Sequence, residues 1–150
     1  MDNGCDIKID KEGIWYYRGA EMFRKEILSL FFQNVKKDDN GKYLIEMGEE
    51  KCYLDVEDTV FVVTEVHKTK KPADNSDCLY VLLNDDCREE LALSTLKVGK
   101  DNVLYCQVKE GRFAARFLRK SYYQLSEFIE EEENRFFIRQ SGEKYYIKNN

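Results

Sequence analysis

Apolar residues recur along this chain with two spacings, one typical of helices and one typical of strands. Two stretches have the three- and four-residue spacing of an amphipathic helix. The first, FRKEILSLFFQNVKK, carries Val35 on its apolar face and ends in Lys36 and Lys37, which suit the negative end of a helix dipole. The second begins near Arg119 and continues into the glutamates at 130–133, where like charge at the carboxyl end predicts fraying.

Short runs rich in β-branched and aromatic residues predict strands before, between and after these helices. TVFVVTEVH is the strongest of them, and another is predicted near residues 14–17, before a turn at Arg18-Gly19. KYLIEMG and KCYLDV predict a hairpin around Gly48-Glu49, and NVLYCQV and RFAARF predict a hairpin around KEG. Further strands are predicted at CLYVLL, ELALSTL, RFFIRQ and KYYIK. This mixture of elements predicts an α+β fold.

One phrase occurs twice, as GEEKCYL at residues 48–54 and as GEKYYI at residues 142–147. With three small gaps, the two halves align on identical residues: Arg24 with Arg119, Lys25 with Lys120, Leu30 with Leu125, Ile45 with Ile138, Gly48 with Gly142, Glu49 with Glu143, Lys51 with Lys144 and Tyr53 with Tyr146. The order of predicted elements matches as well. The sequence therefore predicts two structurally similar repeats, each with β-hairpins and one amphipathic helix, packed as one compact unit.

This pattern divides the chain into four predicted parts. They are a polar N-terminal segment (1–12), a first α+β repeat (13–67), a linker loop with middle strands (68–102) and a second α+β repeat (103–150). Each repeat has too few elements to bury a core alone, so we expect the two to pack together. We also expect a cleft between them, where binding sites are commonly found.

Composition limits the classes of partner. The 150 residues are 43% hydrophobic and 13% aromatic, enough for a packed core. A net charge of −5 argues against a nucleic-acid partner, and no apolar run approaches the roughly 18–20 residues that span a bilayer. The segment MDNGCDIKID has neither the basic nor the apolar region of a secretory signal. We therefore expect a cytoplasmic protein without membrane or nucleic-acid partners.

The number and spacing of the cysteines predict their redox state. Cys5, Cys52, Cys78, Cys87 and Cys106 are odd in number, irregularly spaced and without a CxxC pair. A disulfide framework or a zinc site has a different pattern. The sequence thus predicts reduced thiols.

With these motifs placed, the chain resembles a family of bacterial proteins, domain-of-unknown-function family 1285. The resemblance rests on GIWYYRGAEMFRKEILSLFFQNVKKDDNGKYLI and EKCYLDVEDTVFVV, and more loosely on LYCQVKEGRFAARFLRKSYYQLSEFI. Val60 stands where the family usually has a proline, and KEGRFAAR stands where it has a glycine-rich segment. The resemblance implies a cytoplasmic two-repeat α+β fold without established chemistry, for which signalling or ligand binding is an analogy only.

The chain offers little for catalysis or for a cofactor. It contains no GxGxxG, GxxxxGK[ST], GxSxG or HExxH motif. His67 is the only histidine, and nothing in the sequence connects it with a cysteine. The acids of DVED, at 55–58, are more typical of a solvent-exposed face than of a metal site. We expect no catalytic residue, no cofactor and no metal.

Four charged residues are the predicted ligand-binding residues: Arg18, Arg24, Asp58 and Arg119. The pairs Arg24-Lys25 and Arg119-Lys120 stand at predicted helix starts, where cations oppose the dipole and either neighbouring acids such as Glu26 or a bound anion would compensate. Asp58 precedes the strongest strand, and its carboxylate caps a helix start, pairs with one of the two arginines or recognises a polar ligand. The leading hypothesis is a non-enzymatic regulatory or signalling-type module that binds a small polar or anionic ligand, or a protein partner.

Two other hypotheses belong to different functional classes. Exposed strand edges in a small fold favour pairing between copies, so the chain is alternatively a structural or protein-interaction homodimer. The third hypothesis is an enzyme with an unfamiliar site built on cysteine or carboxylates, which a cysteine of low pKa would support.

Overall fold

The computed structural model describes residues 4–149, and this part of the chain confirms a mixed α+β fold with few helices and many strands. It contains the α-helices α1 (Lys25–Gln33) and α2 (Arg119–Ser126). Contacts along the chain define two units, residues 1–60 and residues 61–150.

The first unit contains one six-stranded sheet. Its strands are β1 (Gly4–Ile9), β2 (Trp15–Tyr17), β3 (Ala20–Glu21), β4 (Val35–Lys37), β5 (Tyr43–Met47) and β6 (Glu50–Val56). Their order across the sheet is β3-β2-β1-β6-β5-β4, and β1 pairs with β6 in parallel, whereas the other neighbours are antiparallel. The predicted polar N-terminal segment thus supplies a central strand, and its residues 1–3 lie outside the described residues.

Trp15 is the residue that anchors α1. Its ring is 2% exposed and lies with its centroid 4.9 Å from that of Phe32 and 6.2 Å from that of Phe31. The Trp15 Nε1–H has no acceptor among the described residues, which is costly for a buried donor. Aromatic packing therefore holds the C-terminal half of α1.

The second unit contains a seven-stranded sheet and a three-stranded sheet. The larger sheet comprises β7 (Phe61–Lys70), β8 (Asp77–Leu83), β9 (Arg88–Glu90), β10 (Lys97–Val98), β11 (Leu104–Val108), β12 (Phe113–Phe117) and β16 (Lys148–Asn149). The smaller comprises β13 (Ile129–Glu132), β14 (Arg135–Gln140) and β15 (Glu143–Tyr146). The α2 helix packs on β7, where the Ser121 hydroxyl donates a hydrogen bond of 2.7 Å to the Val63 carbonyl.

Two predicted helices are longer than the observed ones. The first was expected to include Val35 and the lysines after it, but Asn34 ends α1 by donating its side-chain N–H to the Leu30 carbonyl at 2.7 Å. Val35 then pairs with Ile45 as part of β4. The residue pattern of Val35–Lys37 fits both the helical and the strand periodicity, and pairing with β5 makes this segment a strand.

The predicted second helix is also too long, because it was expected to continue into the glutamates at 130–133. Residues 129–132 form β13 and pair with β14. Cations on the neighbouring strands compensate the charge, because Arg139 lies 3.4 Å from Glu130 and Lys144 lies 2.8 Å from Glu132. The predicted strand ELALSTL is wrong as well, since only residues 88–90 extend and Leu93–Thr95 form a 3-10 turn.

The segments α1-β4-β5-β6 and α2-β13-β14-β15 match in element order and in pairing register. Val35 pairs with Ile45 as Ile129 pairs with Ile138, and the tyrosines 53 and 146 occupy the same place in the third strand. Each tyrosine hydroxyl donates to a carboxylate beyond or at the end of the first strand, Tyr53 to Asp38 at 3.1 Å and Tyr146 to Glu132 at 3.2 Å.

This register corrects two details of the sequence alignment. The second hairpin turns at Ser141-Gly142, with φ of 52° and 82°, so Gly48 corresponds to Ser141 and the turn residues are not Gly-Glu in both halves. Arg24 precedes α1, whereas Arg119 is the first residue of α2. The two Arg-Lys pairs are therefore displaced by one position relative to their helices.

The two leucines that the sequence alignment pairs, Leu30 and Leu125, lie one position apart relative to their helices and give a test of the packing. Leu125 is 0% exposed and Leu30 is 48% exposed. We expect Leu125→Ala to lower the free energy of unfolding by about 2–5 kcal/mol, because it leaves a cavity in a packed core. Leu30→Ala should change it by less than about 1 kcal/mol. Urea unfolding followed by circular dichroism measures both, and equal effects would contradict the different packing of the two helices.

Candidate functional site

A cavity of about 1060 Å³ opens on the first unit. Its lining comes from β1, β2, β3, β5, β6, α1 and the segment between β3 and α1. Most of the lining is apolar, and its apolar residues include Ile7, Met22, Ile27, Phe31, Ile45 and Met47. This size is at the upper end of the roughly 300–1,000 Å³ found for small-molecule sites.

The way in which α1 docks explains why the cavity exists. Ile27 and Phe31 are four residues apart, so they share one helix face, and both line the cavity. Phe31 also meets Trp15, but the N-terminal half of α1 has no comparable aromatic support in the described structure. The segment that leads into the helix leaves Phe23 75% exposed. An apolar helix face therefore borders open space instead of a packed sheet.

Cys5 and Cys52 form a disulfide in the wall of this cavity. Their Cα atoms are 5.1 Å apart, within the usual range for a disulfide. The prediction of five reduced thiols is therefore wrong for this pair. The two cysteines of this bond are 47 residues apart in sequence, on neighbouring strands, so no short cysteine motif could predict it.

Carboxylates dominate the charge at the cavity. Of the two lining cations, Arg24 lies 3.1 Å from Glu26 and Lys51 lies 3.4 Å from Glu46. The remaining charged lining residues are Glu21, Glu49 and Glu50, which make no ion pair within residues 4–149. The lining thus presents three uncompensated carboxylates to a ligand.

A second cavity of about 610 Å³ has a more polar lining. Arg18 reaches Asp6 across it at 3.4 Å, and both residues have positive φ, 49° and 59°. Tyr53 also lines this space and donates to Asp38. Backbone hydrogen bonding from Lys42 and the bond from Tyr53 hold the pKa of Asp38 below its usual value, while the same bond raises the pKa of Tyr53. Arg18, Asp6 and Tyr53 on this lining therefore already take part in contacts within the protein, an ion pair for the first two and a hydrogen bond for the third.

The four predicted ligand-binding residues occupy separate places. Arg24 lines the larger cavity and Arg18 the smaller. Asp58 lines neither, and its charge adds to burial in raising the pKa of Tyr43. Arg119 begins α2 in the second unit and also lines neither cavity. Their role in binding stays a prediction.

Sequence reasoning missed the apolar residues of the larger cavity. Met22, Phe23 and Met47 flank turns and ends of elements, where an apolar side chain has no periodic pattern to mark it. Ile27 and Phe31 belong to the helix pattern of FRKEILSLFFQNVKK, which predicts an apolar face without saying what covers it. Apolar periodicity reports which face avoids water, and a ligand can cover that face as well as a sheet can.

The described residues form neither a metal site nor a membrane-spanning helix. Within residues 4–149, no group of three or more His, Cys, Asp or Glu side chains is placed to hold a metal ion. No helix in that range is long and apolar enough to cross a bilayer.

The geometry so far defines an α+β protein whose first unit is a self-contained sheet with an apolar cavity. Residues 2–59, which span nearly all of this unit, match the family model of the N-terminal domain of a domain of unknown function, DUF1285. This match confirms, over the first unit, the resemblance to the DUF1285 family seen in the sequence.

Two solved structures share the fold. A DUF1285 family protein from Silicibacter pomeroyi DSS-3 is 21% identical, with a TM-score of 0.77 over 96% of this chain and 79% of the other. A DUF1285 family protein from Shewanella baltica OS155 is 20% identical, with a TM-score of 0.65 over 81% of this chain and 90% of the other. No curated protein matches the chain.

The disulfide provides a test of this site's construction. Because it closes a 47-residue separation, its loss should cost about 2–4 kcal/mol of stability, chiefly through the greater entropy of the unfolded chain. We expect dithiothreitol to lower the melting temperature of the wild type but not that of a Cys5→Ser/Cys52→Ser variant. Cys87→Ser, at an exposed free thiol, is the control and should respond as the wild type does. A wild type insensitive to the reductant would contradict the bond's contribution.

Proposed function

We propose that this protein is a non-enzymatic, cytoplasmic binding module of the regulatory type, and that its ligand occupies the apolar cavity of the first unit. The observation that carries the proposal is the cavity itself, about 1060 Å³ and lined mainly by aliphatic, aromatic and methionine side chains. Methionine adapts to ligands of different shape, and Met22 and Met47 stand on the lining.

The apolar lining favours a ligand with an extended or bulky apolar body. Each methylene removed from water contributes about 0.8 kcal/mol, so a medium-length alkyl chain supplies enough free energy for binding. A small polar metabolite, the ligand class that the sequence predicted, would leave most of this surface uncovered. We therefore place the apolar body of the ligand between α1 and the strands that face it.

The charge of the lining favours a cationic or neutral polar end on that ligand. Glu21, Glu49 and Glu50 are uncompensated, whereas the guanidinium of Arg24 already lies beside Glu26. An anionic head group would meet the three carboxylates at short range and lose affinity. The proposed ligand is an amphiphile with an apolar body and an amine, a class opposite in charge to the predicted anion.

The matching helix-and-meander segments support an internal duplication in which the two copies have diverged. In the second, Ser121 hydrogen-bonds to β7 and Leu125 is fully buried. In the first, the corresponding helix borders the cavity. We propose that the first copy kept an open helix face for a ligand, while the second uses its helix as core.

A dye-binding experiment tests the cavity. Nile red, a neutral apolar dye, should bind the wild type with increased fluorescence. Ala20→Trp places a large ring on the cavity lining and should weaken dye binding by about ten-fold or more. Ala73→Trp, at an exposed alanine that lines neither cavity, is the matched control and should leave binding unchanged. Equal binding by all three proteins would place the dye elsewhere and contradict the proposal.

A competition series tests the charge preference. Decylamine, decanol and decanoate share one chain length, and below their micelle-forming concentrations they should displace Nile red in that order of affinity. The Glu49→Gln/Glu50→Gln variant should lose most of an amine-over-alcohol preference of about three- to five-fold, since each exposed charge contributes less than about 1 kcal/mol. Glu110→Gln/Glu133→Gln changes the net charge equally and should keep the preference. Stronger binding of decanoate than of decylamine by the wild type would contradict this preference and support an anionic ligand instead.

A homodimer is the second candidate, and Phe23 is the observation that favours it. Its side chain is 75% exposed beside the cavity mouth, and a second copy would cover it. Light scattering of the wild type and of Phe23→Ser distinguishes the two candidates. A wild-type dimer that Phe23→Ser converts to a monomer supports this candidate, whereas a monomeric wild type that binds Nile red supports the small-ligand proposal.

A further inference from the structure

We propose that Cys5 and Cys52 form a thiol–disulfide exchange site, whose substrate is a dithiol reductant and whose state sets the order of the cavity wall. The effect on ligand affinity rests on the proposed function, whereas the exchange and the change in the wall do not.

The disulfide lies where the pairing of its two strands is irregular. β1 and β6 pair at Gly4 with Tyr53 and resume at Lys8 with Asp55, so β1 contains two extra residues between these points. Asp6, inside this bulge, has a φ of 59°. The regular hydrogen-bond ladder is thus interrupted beside Cys5, and the disulfide is a covalent link between β1 and β6 at this interruption.

The position of the two cysteines favours attack by a reductant. Both cysteines are half-buried and both line the open cavity, so the cavity mouth is the route that we propose for the attacking thiolate. The other cysteines are poor competitors for exchange. Cys78 and Cys106 are buried, and burial raises the pKa of Cys106 to about 12. Cys87 is exposed, but partial desolvation and the charge of Asp85 raise the pKa of its thiol, which disfavours the reactive thiolate. The reaction is therefore confined to one pair.

The exchange is a two-electron step with a simple balance. A thiolate of the dithiol attacks one protein sulfur, which forms a mixed disulfide and releases the other protein sulfur as a thiolate. The second thiol of the reductant, once deprotonated, attacks the mixed disulfide and releases the second cysteine. The protein disulfide is reduced to two thiols, the dithiol is oxidised to a disulfide, and the two protons of the reductant pass through solvent to the cysteines.

Reduction should loosen one side of the cavity. Ile7 of β1 pairs with Tyr17 of β2, and both residues line the cavity with the two cysteines. Without the disulfide, the bulged residues between Gly4 and Lys8 lose their covalent link to β6, while the pairing of Gly4 with Tyr53 and the regular pairing at Lys8 and Ile9 remain. The oxidised form thus has the ordered wall, and the reduced form has a mobile one with lower affinity for an apolar ligand.

Amide hydrogen exchange in oxidised and dithiothreitol-reduced wild type tests the wall without any ligand. Mass spectrometry after thiol alkylation should show that the folded protein gains two thiols together. Exchange at residues 5–7 and 16–18 should then rise by about ten-fold or more, with β7 unchanged. The Cys5→Ser/Cys52→Ser variant should exchange as the reduced wild type does, with or without dithiothreitol, and Cys87→Ser should behave as the wild type. A pair that is reduced only on global unfolding, or exchange that does not change on reduction, overturns the proposal.

Nile red titration of the same samples tests the coupling. Reduction should weaken binding by about five-fold or more, the lower end of typical coupling between two sites. Equal affinity in both states overturns the effect on the ligand. No dye binding in either state, together with increased exchange on reduction, contradicts the proposed function while supporting the exchange site.

Discussion

The parallel pairing of β1 with β6 is the interaction on which the first unit depends. It joins the strands β3, β2 and β1 to the strands β6, β5 and β4, so it makes one sheet out of two antiparallel groups. It also places Ile7, Cys5 and Cys52 on one wall, opposite the helix face that carries Ile27 and Phe31. Parallel neighbours need a long connection, and here that connection contains α1, which is why the helix and the cavity belong to the same part of the chain. The position of the cavity is thus a consequence of the sheet topology.

The two helices show how one sequence pattern serves two purposes. Both have an apolar face and a meander of three strands after them, and the meanders share a register. In α2 a small residue, Ser121, allows the helix to approach β7 and to hydrogen-bond to its backbone. In α1 the aromatic rings of Phe31 and Phe32 meet Trp15 and hold the helix at a distance. The sizes of a few side chains decide whether an apolar helix face becomes core or a cavity.

The sequence predicted the elements whose signal is local. The hairpin around Gly48-Glu49, the long strand β7 and the start of α2 at Arg119 all follow from periodicity and turn chemistry, and the structure confirms them. Val35–Lys37 and Ile129–Glu132 were predicted as helix because their residues also continue the helical pattern before them, and pairing with β5 and β14 makes them strands. The disulfide and the cavity lie beyond such reasoning, since each depends on residues that the fold brings together across more than forty positions. The family resemblance predicted the α+β fold, but it carried no information about the disulfide or the cavity.

The position of Trp15 has a spectroscopic consequence. It is the chain's single tryptophan, it is almost fully buried, and it lies in the first unit against Phe31, which borders the cavity. Selectively excited indole emission therefore reports on the first unit alone, while far-ultraviolet dichroism reports on the strands of both. The natural protein thus carries a built-in optical label by which the folding of one unit can be followed against that of the whole chain.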